Sequence, residues 1–93
     1  MQKTPTVLVA DDDDSVRTFV RAALVAAGLN VCEASNGKEA LEQFTLHRPD
    51  MIVLDVMMPV MDGYMACSRL RGMVGGSRLP ILMMTGMDDA EAI

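Results

Sequence analysis

At 93 residues the chain has room for one compact domain, taken here as residues 1–93, and folding at this size hides only about 60 to 65 per cent of the unfolded surface. A hydrophobic fraction of 51% excludes disorder. Thirteen acidic against eight basic residues, a net charge of −5, argue against binding a nucleic-acid backbone and suit a domain that gathers a divalent cation.

Val7 to Ala10 is a continuous apolar run, the pattern of a strand buried on both faces, and it stops at Asp11. It is far too short for a leader or a membrane span, so the expected setting is the cytoplasm, away from membranes. A helix should follow, capped by Asp14 or Ser15, with Val16, Phe19, Val20, Ala23, Leu24 and Ala27 forming one inward stripe before Gly28 ends it. Asn30 to Ala34 reads as a short second strand. Asn36, with Glu39 three residues on, marks the N-cap of a second helix reaching about Leu46.

Pro49 blocks further helix, and Met51 to Leu54 forms a third strand that again delivers a carboxylate, Asp55. Beyond a loop with Pro59 and Asp62-Gly63, a third helix is expected from about Tyr64 to Arg71, closed by Gly75-Gly76. Pro80 introduces a fourth strand, Ile81 to Met84, which ends at Thr85. Cys32 and Cys67 lack metal spacing and read as buried free thiols. His47, beside Arg48-Pro49 at a helix end, reads as a surface residue.

Strand and helix thus alternate, which implies right-handed crossovers and a parallel sheet covered on both faces. Ligands of such sheets bind at the carboxyl ends of the strands, and Asp11, Asp12, Asp55 and Thr85 fall there. An isolated acidic run is ordinarily a solvated turn. Here a second apolar strand ending in Asp55 and another ending in Thr85 favour a site. Converging carboxylates raise one another's pKa unless a cation neutralises them, and Mg²⁺, an oxygen-seeking ion, fits such a set. Asp13 and Asp14 read as helix-start charges, since an EF-hand loop would need a glycine where Val16 stands.

Three blocks, Val7-Leu8-Val9-Ala10-Asp11-Asp12, Leu54-Asp55-Val56-Met57-Met58-Pro59-Val60-Met61-Asp62-Gly63 and Met84-Thr85-Gly86, resemble the signature segments of the receiver domains of two-component response regulators. The resemblance implies a flavodoxin-like three-layer α/β/α sandwich with parallel strand order 2-1-3-4. It implies that Asp55 accepts a phosphoryl group from a sensor histidine kinase or phosphotransfer protein, and that Thr85 is the hydroxyl that responds. It implies Mg²⁺, with Mn²⁺ as a substitute, held by Asp11, Asp12, Asp55 and the backbone carbonyl of Met57. An output domain or downstream protein would read the state. The alternative is a docking module that is never phosphorylated. A phosphatase of the haloacid-dehalogenase kind is disfavoured, because Met57 stands where a second aspartate belongs.

Receiver domains continue into a fifth strand bearing a lysine and then a fifth helix, and these 93 residues contain neither. Lys3 and Lys38 lie in the wrong segments to replace that lysine, so weakened phosphorylation or readout is expected. An uncovered fourth strand is expected to pair with a second copy of the chain.

Overall fold

The computed structural model describes residues 3–84. Four strands, β1 (Thr6–Ala10), β2 (Asn30–Ala34), β3 (Met51–Asp55) and β4 (Ile81–Met84), alternate with helices α1 (Asp14–Ala26), α2 (Gly37–His47) and α3 (Gly63–Arg71). All strand pairs are parallel and the order is β2-β1-β3-β4. This is the flavodoxin-like arrangement the resemblance implied. Thr85 lies outside the described residues.

Period-two alternation sends the strand side chains to two different cores. Leu8, Ala10, Ile52 and Leu54 face one layer, where Ala40 and Phe44 of α2 and Ala66 and Leu70 of α3 close over them. Val7, Val9 and Val53 face the opposite layer and meet Val20 and Leu24 of α1. The two layers are unequally covered, and this corrects one expectation. No residue of α1 is fully buried, and Phe19, assigned to the inward stripe, is 75% exposed. Among the described residues α1 is the sole helix on its layer. Only the centre of its apolar stripe reaches the sheet, and the flanks carrying Val16 and Phe19 face outward.

The helix ends explain the register of the loops. Asp13, not Asp14 or Ser15, caps α1, its carboxylate accepting the amides of Ser15 and Val16. Asn36 caps α2 as expected, through the amide of Glu39 at 2.8 Å. The Glu39 carboxylate reaches back to the amide and hydroxyl of Ser35, each at 2.8 Å. Asp62 caps α3 through Met65, and that helix stops at Gly72, before the Gly75-Gly76 pair. His47 is exposed at the end of α2, while Cys32 and Cys67 are free and only partly buried. No described helix is long and apolar enough to cross a membrane.

Candidate functional site

Because β1 and β3 are neighbours in register, with Ala10 beside Leu54, their next residues emerge together at the carboxyl edge of the sheet. Asp11 and Asp55 are 5% and 8% exposed, and Asp12, one residue further along, is exposed. One carboxylate oxygen from each of the three lies within 4.8 Å of the others. Three acceptor-only groups at that separation repel one another when ionised.

The electrostatics follow from burial. Desolvation pushes the Asp11 carboxyl above its ordinary range, and the charges of Asp12 and Asp13 add to this. The Asp13 amide, donating to Asp11 Oδ1 at 2.9 Å, and the Arg17 charge oppose it. Asp55 is raised as well, first by desolvation and next by the charge of Asp11, against the backbone amides of Met57 and Val56. Two buried carboxyls held above their usual range beside a third acid form an oxygen-donor set short of positive charge. That donor set fits a hard divalent cation, which would restore the ionised forms.

The loop after β3 is fixed from both sides. The Val56 amide donates to the Met84 carbonyl at 3.0 Å, and the Gly63 amide donates to the Val56 carbonyl at 2.9 Å. Gly63 abuts the backbone of Asp55 and Val56: a Cβ there would fall inside the envelope of the Asp55 carbonyl and lie 2.9 Å from Val56 Cα. The Gly37 amide bonds the Met61 carbonyl at 2.9 Å, tying the loop to the start of α2. Met57 lies in this loop, two residues past Asp55, with its side chain 64% exposed. Val60 occupies the left-handed region, φ 69°, although it is β-branched.

Of the predicted site residues, Asp11, Asp12 and Asp55 are brought together; Asp13 and Asp14 start α1 and stay out of the cluster. Arg17 was not anticipated. Its guanidinium bonds the Asp11 carbonyl, Asp14 and Glu33. The Asp14 pairing has a legible i,i+3 spacing, whereas the link to Glu33 spans 16 positions and leaves no local signal.

A doubly wound parallel sheet with an acidic pocket at its carboxyl edge defines a class of flavodoxin-like α/β domains. Within that class, residues 7–93 match the sequence profile of the response regulator receiver domain, and the chain belongs to that family. It is 48% identical over 85 residues to the response regulator MprA of Mycobacterium tuberculosis, covering 91% of this chain and 36% of that protein. It is 39% identical over 85 residues to the transcriptional regulatory protein AfsQ1 of Streptomyces coelicolor, again covering 91% of this chain and 36% of that protein. The chain therefore spans about a third of the length of these curated relatives. Among solved structures, the chemotaxis response regulator CheY4 of Vibrio cholerae superimposes with a TM-score of 0.84 at 35% identity, over 96% of this chain and 77% of that one. The receiver domain of a Francisella response regulator gives a TM-score of 0.82 at 34% identity, covering 96% and 72%.

Proposed function

We propose that this receiver domain accepts a phosphoryl group on Asp55 from the phosphohistidine of a sensor kinase or phosphotransfer protein. A carboxylate oxygen of Asp55 attacks phosphorus; the new P–O bond forms as the P–N bond breaks, and the departing imidazole takes up a proton. Asp11, Asp12 and Asp55 would hold Mg²⁺, or Mn²⁺ in its place, together with the Met57 carbonyl. When bound, the ion offsets negative charge on the transferring oxygens. Burial of Asp55 limits access of bulk water, and the exposed Met57 side chain, beside the acceptor, shields the phosphoryl group. The domain's own chemistry is then self-phosphorylation and slow hydrolysis, with no turnover of a diffusible substrate.

The observation that carries this reading is the convergence of three carboxylates within 4.8 Å, two of them buried, at the strand ends. Thr85 is proposed as the responding hydroxyl and the cytoplasm as the setting. The readout passes to an output domain or downstream protein, in keeping with the transcriptional role in AfsQ1's name. Incubation with Mg²⁺ and acetyl phosphate, followed by peptide mass spectrometry, is expected to place a phosphoryl adduct on Asp55 that Asp55→Asn lacks. An intact wild-type peptide would favour the alternative, a docking module that is never phosphorylated.

A second reading concerns assembly. Among the described residues β4 pairs only with β3, and Leu82 on it is 54% exposed, which supports pairing of two copies along that edge. Light scattering across a concentration series is expected to show a dimer. A cooperatively folded monomer at all concentrations would rule it out.

A further inference from the structure

We propose that Arg17 is a positioning residue for the metal pocket: it clamps the main chain carrying Asp11 and Asp12 so that both carboxylates keep facing Asp55. The inference rests on the metal-binding reading above. Arg17 Nη1 donates to the Asp11 carbonyl at 2.7 Å, Nη2 to Asp14 Oδ1 at 2.5 Å, and Nε to Glu33 Oε1 at 3.1 Å. One planar guanidinium therefore joins the end of β1, the first turn of α1 and strand β2. Arg21 Nε lies 3.3 Å from the other Glu33 oxygen and steadies that acceptor without reaching the loop.

Two features separate this from an ordinary surface ion pair. The Arg17 side chain is only 17% exposed and its bond to the Asp11 carbonyl is part-buried, so a lost partner there is more costly than at the open surface. The bond also falls on the backbone of a cluster residue and not on its carboxylate. The positive charge thus sits behind the pocket and competes with no ligand oxygen. Through space, however, the same charge repels an incoming cation. Positioning and repulsion act on Mg²⁺ affinity with opposite sign, so the direction of change on removing Arg17 decides which one matters. A lysine restores the charge but cannot serve three acceptors spread around a planar fork.

The test is calorimetric titration of the metal-stripped full chain with MgCl₂, alongside thermal unfolding of each variant in EDTA. Arg17→Ala is expected to weaken Mg²⁺ binding about tenfold, the lower end of the range for residues that orient metal ligands. Arg17→Lys should not recover the affinity, and Arg21→Ala should bind as the wild type does. Unchanged or tighter binding by Arg17→Ala would overturn the proposal, showing that charge repulsion dominates. Full recovery by lysine, or an equal loss in Arg21→Ala, would overturn it too. Should Arg17→Ala unfold, Arg17→Met, which keeps the stem's packing, is judged by the same criterion; its unfolding as well would make Arg17 a determinant of folding and end the idea. A wild-type chain that ignores Mg²⁺ would instead refute the metal reading itself.

Discussion

Replacing Asp55 with asparagine is expected to stabilise the metal-free protein while abolishing its chemistry. The carboxylates of Asp11 and Asp55 approach within 4.8 Å and both are nearly buried. At an effective dielectric of about 20, two full charges at that separation repel by roughly 3.5 kcal/mol. Partial protonation relieves some of this, and the amide is a weaker acceptor for the Val56 and Met57 N–H groups, so a net gain of about 1 to 2 kcal/mol remains. For a domain of this size that corresponds to a rise in Tm of about 5 to 15 °C. Circular dichroism melts in EDTA at pH 7 and low salt measure it directly. Mg²⁺ should then raise the wild-type Tm and leave Asp55→Asn almost unmoved. An Asp55→Asn variant no more stable than wild type would refute the view that the pocket is a site of repulsion awaiting a cation.

Three further outcomes follow from the same geometry. Because the folded-state carboxyls of Asp11 and Asp55 are raised above the ordinary 3.8, their contribution is fully present below that value and is lost as pH rises through their folded pKa values. Glu39, held below its ordinary 4.5 by the Ser35 amide and hydroxyl, acts in the opposite sense at the acid end. Urea titrations in EDTA should therefore show a shallower fall with rising pH for Asp55→Asn than for wild type, and parallel curves would contradict the assignment. Gly63→Ala, whose new methyl would press on the Asp55 and Val56 backbone, should cost about 3 kcal/mol in chemical denaturation; a loss under 1 kcal/mol would mean the loop yields easily. Val60→Gly should gain about 1 kcal/mol by removing the penalty of a β-branched residue at φ 69°, and a destabilised variant would disprove that strain.

Much of the fold was legible because its signals are local. The β1 and β3 runs are continuously apolar and end in acid, so both the parallel sheet and the meeting of Asp11 with Asp55 could be inferred from pattern alone. The cap of α1 was not resolved, because four consecutive aspartates each offer the same short acceptor and only the backbone turn selects Asp13. Helical periodicity revealed an apolar stripe on α1 but not how much of it finds a partner, and so Phe19 was assigned inward although it lies outside. Val60 in the left-handed region runs against its own preference, since the surrounding loop dictates its conformation. The Arg17 junction was invisible for a different reason: its acceptors are a backbone carbonyl and a carboxylate on another strand, neither of which has a sequence signature.

The close approach of Gly63 to Asp55 has a mechanical meaning. Most helices rest on a sheet through side chains whose rotamers can absorb a small displacement. At the start of α3 there is no such cushion: the main chain of the helix bears on the carbonyl of Asp55, and its amide is bonded to the carbonyl of Val56. A shift of a few tenths of an ångström at Asp55 would therefore be passed to α3 nearly undiminished, as through a stiff rod. Hydrogen exchange in the first turn of α3 should accordingly report the charge state of the pocket.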